Sequence, residues 1–206
     1  MKIIYGTGNK GKLEQVKSFF KINNINVEIL SLKDIGFNQD IIEDGKTFEE
    51  NSKIKAEVIK KYCDEKKIEA IVITDDAGLC VDALDGRPGV LSARYAGDHA
   101  PQEVVLEKLL NELKYVAKEN RTAQFICVLT AILPNGELIV EKGISEGFIA
   151  EEPGPLGRLT YGPVFIPKGT DKVMNNMTEE EIAKFHSHRQ EALTNMVARL
   201  KEIYNF

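Results

Sequence analysis

Residues 123–149, AQFICVLTAILPNGELIVEKGISEGFI, decide the fold class. Two runs rich in β-branched and aromatic residues, Ala123 to Leu133 and Glu137 to Ile149, flank the turn triplet Pro134-Asn135-Gly136. That is the composition of a long β-hairpin. A hairpin is antiparallel, so a sheet that contains it is not fully parallel. Upstream, the pattern alternates. Lys2 to Tyr5 reads as a strand, followed by a glycine-rich turn and a helix with Leu13, Val16 and Phe20 on one face. Val27 to Leu30 reads as a second strand. Thr47 and Glu50 form a capping box that opens a long helix, with Phe48, Ile54, Val58 and Tyr62 at helical spacing. Ala70 to Thr74 is a buried strand that is expected to end at Asp75-Asp76. Residues 77–100 are expected to be irregular, with a helix near Pro101 to Leu113 before the hairpin. After the loop Glu151 to Arg158, a short strand Val164 to Ile166 is expected, then two helices. The last has Ser187 as N-cap, Gln190 three residues on, and Leu193, Met196, Val197, Leu200 and Ile203 as its apolar face. Alternating strands and helices followed by a hairpin imply an α/β protein with a mixed sheet.

Composition narrows the function. The chain has 206 residues, enough for one sizeable core or two lobes around a cleft. Hydrophobic residues make up 43% and charged residues 29%, the balance of a folded globular protein. No apolar run reaches the roughly 20 residues that span a bilayer, so no membrane is expected as a partner. The net charge of −5 argues against a nucleic-acid backbone as a partner. Cys63, Cys80 and Cys127 form no CxxC pair, which suggests neither a zinc site nor a disulfide framework. With no h-region of signal-peptide length at the N-terminus, a cytoplasmic location is expected.

Three segments could carry chemistry. Gly6-Thr7-Gly8-Asn9-Lys10-Gly11-Lys12 lies between a strand and a helix. Backbone N–H groups at such a turn bind anions, the helix dipole adds to the attraction, and Lys10 and Lys12 supply cations. The spacing approaches a P-loop, but Leu13 stands where that motif needs a hydroxyl for magnesium. A plain strand–turn–helix with solvated lysines is the alternative. Asp75-Asp76-Ala77-Gly78 places adjacent carboxylates where α/β sheets bind ligands. Their side chains point to opposite sides of an extended chain, so the two are expected to do different jobs. One could bind magnesium or activate water; a capping Asx turn is the alternative. Glu43 could add a third carboxylate, or belong to a solvated acidic turn. Lys55 could reach a phosphate or lay its stem along the apolar face. In Ser187-His188-Arg189, two cationic side chains start a helix against the dipole preference, a conflict that an anionic ligand would remove. Two surface cations on a capped helix are the alternative. His99 and His186 read as surface residues.

Taken together, these segments resemble the inosine triphosphate pyrophosphatase family of XTP/dITP diphosphatases. The matching stretches are Thr7-Gly8-Asn9 with Lys12, then Glu43-Asp44-Gly45 with Thr47-Phe48 and Glu50-Asn51, then Lys55-Ala56. Asp75-Asp76 with Gly78-Leu79 follows, then Gly86, Pro88-Gly89-Val90 and Ser92-Ala93-Arg94-Tyr95, and finally Ser187-His188-Arg189. The resemblance implies one pyrophosphatase domain over 1–206, with two lobes, an elongated mixed sheet flanked by helices, a central cleft and a homodimer. It implies hydrolysis of ITP, dITP and XTP between the α- and β-phosphates with Mg2+. Asp76 would be the general base and a magnesium ligand with Glu43. Asp75 and Lys12 would support catalysis. Thr7, Gly8, Asn9, Lys10, Gly11, Lys12 and Lys55 would hold the triphosphate, with Ala77 beside them. Leu159, Thr160, Tyr161, Gly162, Lys184, His188 and Arg189 would line the base pocket.

The departures fall in that pocket. The family's Phe-Gly-Tyr-Asp before proline is Leu159-Thr160-Tyr161-Gly162 here, which removes a stacking ring and a carboxylate. Ala77 replaces a serine, and Ala183 stands where a lysine is usual, with Lys184 next to it. The alternatives are the same chemistry on a different base, a P-loop-like phosphotransferase, and a non-catalytic nucleotide-binding protein.

Overall fold

Ile3, Ile4 and Tyr5 are buried on every side, which fits a strand covered on both faces of a sheet. They form β1 (Lys2–Tyr5) in a computed structural model that describes residues 1–157 and 159–204. Arg158, the end of the expected loop, lies outside the described residues, and so does the side chain of Ala183. β1 pairs in parallel with β2 (Glu28–Leu30) and with β3 (Ile71–Val81), where Tyr5 sits opposite Ile73. β4 (Thr122–Ile132) and β5 (Leu138–Ile149) are neighbours joined by the expected turn, with Gly136 at φ 87° and its N–H donating to Leu133 O. β6 (Phe165–Pro167) pairs antiparallel with β5. The strand order is β2-β1-β3-β4-β5-β6, a mixed six-stranded sheet as the hairpin required.

Five helices accompany the sheet among the described residues: α1 (Lys10–Ile22), α2 (Phe48–Glu65), α3 (Gln102–Glu112), α4 (Glu179–Lys184) and α5 (His188–Ile203). Asn9 caps α1 by accepting from Lys12 N, and Thr47 and Glu50 form the expected capping box on α2.

The chain divides into two compact units. The first comprises Met1–Asp76, Cys127–Gly143 and the chain from Arg189 on; one of its cores joins Ile4, Phe37, Ile59, Cys63, Ala70 and Val72. The second comprises Ala77–Ile126 and Ile144–His188, with a core of Leu79, Val81, Leu106, Leu109, Tyr161 and Phe165 among others.

Two expectations need correction. β3 does not stop at Asp75-Asp76 but runs on to Val81. β1 ends opposite Ile73, but the neighbour on the other side, β4, is also 11 residues long, so β3 keeps a partner. The stretch expected to be irregular therefore begins later, and it contains short 3-10 turns at Asp82–Leu84 and Gly89–Arg94. The last short strand is displaced by one residue, to Phe165–Pro167.

Candidate active site

The phosphate-gripping segment begins with a close approach. A Cβ on Gly6 would overlap Ile59 Cδ1 and lie 2.7 Å from Thr74 Cγ2, so only glycine lets the chain leave β1 here. Gly6 N–H donates to Ile73 O at 2.7 Å, which ties the turn to β3. Thr7 Oγ1 accepts from Asn9 N–H at 3.1 Å, and Asn9 Oδ1 accepts from Lys12 N–H at 3.2 Å. Thr7 and Asn9 thus shape the turn with their own side chains. Gly8, Lys10 and Gly11 are exposed, and the first-turn N–H groups of Lys10 and Gly11 have no intrahelical acceptors. This is an anion-ready helix start.

The acidic pair separates as extended geometry requires. Asp75 is 1% exposed, and its Oδ2 accepts from Lys12 Nζ at 2.8 Å and Arg189 Nη2 at 2.9 Å. Burial pushes this carboxyl up, but Lys12 and Arg189 outweigh burial and hold it far below the usual carboxylate range. Arg189 Nη1 also donates to Gln15 Oε1 at 3.0 Å. Burial disfavours the Arg189 charge, and Asp75 more than offsets that, so the guanidinium stays protonated. The conflict between Arg189 and the start of α5 is therefore resolved inside the protein: the anion is Asp75.

Asp76 faces different neighbours. Its Oδ2 accepts from Asn51 Nδ2 at 3.1 Å, and its Oδ1 lies 3.9 Å from Lys55 Nζ. Lys55 Nζ also donates to Glu43 Oε2 at 2.7 Å, so one ammonium is shared by the two carboxylates proposed as metal ligands. Burial raises the Asp76 carboxyl above its usual range; Lys55 and Asn51 pull it down, and Glu43 adds to the rise. A partly buried carboxylate with a raised pKa suits a general base better than the strongly acidic Asp75. Glu43 is held by the chain behind it. Asn51 Oδ1 accepts from Gly45 N–H at 2.9 Å, and Glu50 accepts from the N–H groups of Lys46 and Thr47.

Asn51, 2% exposed, therefore links the Glu43 segment to Asp76. No role for it was expected from the sequence. The available signal was its place on α2, three residues after buried Phe48 and four before Lys55: a polar side chain on a face turned inward. Gln15 had no comparable signal.

The expected base-pocket residues lie in the second unit, Arg189 excepted. Leu159 and Thr160 are exposed, and their carbonyls accept from Gln102 Nε2 at 2.7 and 3.0 Å. Tyr161 is 4% exposed, and its hydroxyl donates to Ser92 O at 2.8 Å. It anchors the segment from within the core, and burial pushes its phenol well above the usual range. The His188 ring stacks on Phe125, with centroids 5.1 Å apart and planes at 16°. Lys184 is exposed and pairs with Glu180 one turn earlier on α4. Ala77 is half-buried in β3.

Glu43 and Asp76 are a fit donor set for a hard divalent cation, because they already share one cationic partner, Lys55. No group of three His, Cys, Asp or Glu residues stands together among the described residues. Magnesium does not need one, since it commonly takes one or two carboxylates and completes its shell with water and phosphate.

The sequence matches the Ham1 family over residues 3–199. A dITP/XTP pyrophosphatase of Bacillus subtilis (strain 168) is 44% identical over 190 residues, covering 92% of each chain. A dITP/XTP pyrophosphatase of Clostridium perfringens (strain 13 / Type A) is 43% identical over 203 residues, covering 98% of each. The solved structure of the Staphylococcus aureus Ham1 protein superposes with a TM-score of 0.84 at 34% identity, covering 99% of this chain and 100% of that one.

Proposed function

We infer the function from the premise that this chain belongs to the Ham1 family: it is a nucleoside triphosphate pyrophosphatase that hydrolyses non-standard purine triphosphates such as dITP and XTP. The phosphotransferase alternative is not favoured, because the relatives are named pyrophosphatases and Leu13 occupies the P-loop hydroxyl position.

The observation that supports the chemistry best is the unequal environment of Asp75 and Asp76. We propose that Asp76 takes the proton of the attacking water, with Asn51 fixing its orientation. Asp75 contacts no substrate; it sets the position of Lys12 and Arg189. The turn from Thr7 to Lys12 and Lys55 grip the triphosphate through the N–H groups of Lys10 and Gly11 at the start of α1 and through ammonium charges, with Thr7 and Asn9 shaping the turn. Glu43 and Asp76 would hold Mg2+, which when bound neutralises charge on the phosphate oxygens. Lys55, which pairs with both carboxylates, would also offer its ammonium to the phosphates. The products are a nucleoside monophosphate and pyrophosphate, and water supplies the oxygen that replaces the broken bridge.

The base is read by the segment from Leu159 to Gly162 with His188. No described helix is long and apolar enough to cross a membrane. A cytoplasmic homodimer rests on the family resemblance, and sedimentation at assay concentration would read the assembly.

Asp76→Asn tests the mechanism. The variant should keep the wild-type circular dichroism spectrum and melting temperature to within a few degrees and lose at least about a hundredfold in kcat. Near-normal turnover would remove Asp76 from the role of base.

A further inference from the structure

Gly162 stands where the resemblance expects an aspartate, and the space of that missing side chain is already filled. A Cβ on Gly162 would overlap Asn175 Oδ1 and come within 3.1 Å of its Cγ. No residue with a side chain fits at 162 while Asn175 keeps its place. A second glycine makes room for the same amide, since a Cβ on Gly157 would lie 2.6 Å from Asn175 Nδ2. The amide is also anchored. Nδ2 donates to Pro155 O at 2.8 Å, and the Asn175 backbone N–H donates to Gly162 O at 3.3 Å. Asn175 is half-buried, and no described residue donates a hydrogen bond to its Oδ1.

Another amide holds the same segment. Gln102 donates through Nε2 to the carbonyls of Leu159 and Thr160 and accepts from Gly157 N–H at 3.1 Å. Gln102 and Asn175 together therefore hold Pro155, Gly157, Leu159, Thr160 and Gly162 in place, with Leu159 and Thr160 exposed. These bonds fix where the Asn175 oxygen sits.

We propose that Asn175 is a specificity-determining residue of the base site: its amide, arriving from a distant part of the chain, takes the place of the side chain absent at 162 and offers an uncharged acceptor instead of a carboxylate. This rests on the reading that the 159–162 segment faces the base. The ligand chemistry it selects is a purine with a donor on its hydrogen-bonding edge. The 6-keto purines carry N1–H, which an amide oxygen accepts. Adenine presents a lone pair at N1, which an amide oxygen repels. A neutral amide also makes a weaker bond than a carboxylate would, so selectivity is set by one ordinary hydrogen bond.

The test is kcat and KM for ITP and ATP, with Mg2+, for the wild type, Asn175→Ala, Gly162→Asp and the double variant, with thermal melts alongside. Asn175→Ala should lower kcat/KM for ITP about fivefold to tenfold, with ATP changed less than about twofold. Gly162→Asp alone should lose activity on both substrates, because the introduced carboxylate and the Asn175 amide compete for one space. The double variant should recover activity and prefer ITP more strongly than Asn175→Ala does. If Asn175→Ala does not fold, the contrast between Gly162→Asp and the double variant decides, because the new side chain fills the vacated space. Equal losses on both substrates, a fully active Gly162→Asp, or a double variant no better than Gly162→Asp would each overturn the proposal. A wild-type protein that cleaves no triphosphate would instead overturn the functional reading beneath it.

Discussion

Replacing Asp75 by asparagine keeps the shape of the side chain and removes its charge. In the wild type, one buried oxygen accepts from Lys12 at 2.8 Å and from Arg189 at 2.9 Å. An amide oxygen in the same place can still accept from both, but it carries no charge, so two cations are left without their counter-ion. The side chains of Lys12 and Arg189 are 27% and 11% exposed, so water can compensate Lys12 better and most of the loss comes from Arg189. Breaking a buried pair from one side costs about 3 to 5 kcal/mol. For a chain of this length, each kcal/mol moves the melting temperature by about 2–4 °C, so a fall between about 6 and 20 °C is expected. Scanning calorimetry of the wild type and Asp75→Asn measures it. Adding Arg189→Met to Asp75→Asn should restore part of the loss, because the uncompensated guanidinium is then gone. A fall of less than about 2 °C, or a double variant less stable than Asp75→Asn by the full cost of Arg189→Met alone, would refute the assignment of Asp75 as a charge-holding, positioning residue.

Gly6→Ala should destabilise the protein by about 1–3 kcal/mol through overpacking, because the new methyl meets Ile59 and Thr74; denaturant titration reads this, and an unchanged midpoint would contradict the close approach. Cys127 is buried, and burial is the main cause pushing its thiol up to about 12, so almost no thiolate forms at pH 8. Cys63 is also buried with a raised pKa, whereas Cys80 is half-buried. A disulfide reagent at pH 8 should therefore titrate at most one thiol in the native protein and all three in denaturant; rapid modification of two native thiols would contradict this burial.

Much of the architecture was legible because it depends on local patterns. The Pro134-Asn135-Gly136 turn between two β-rich runs fixed the hairpin, and Thr47 with Glu50 marked the start of α2. The end of β3 was not legible. Asp75-Asp76 has the composition of a strand end, but the continued strand depends on β4, which lies far away in sequence. The segregation of the acidic pair followed from strand geometry alone. Its partners did not: Arg189 reaches Asp75 across 114 positions, and no spacing rule predicts that. Reading Arg189 and Lys12 as ligands for an external anion, or else as solvated surface cations, missed the internal one. Asn51 was visible as a polar residue on an inward helix face, whereas Asn175 was not visible at all, because its importance comes from the empty positions Gly157 and Gly162.

The central claim is the bond that is cut, and product analysis tests it most directly. Purified protein incubated with XTP or dITP and Mg2+, followed by phosphorus NMR, should form the nucleoside monophosphate and pyrophosphate in equal amounts, with no diphosphate at early times. Release of inorganic phosphate with accumulation of the nucleoside diphosphate would contradict it, and so would substrate that stays intact.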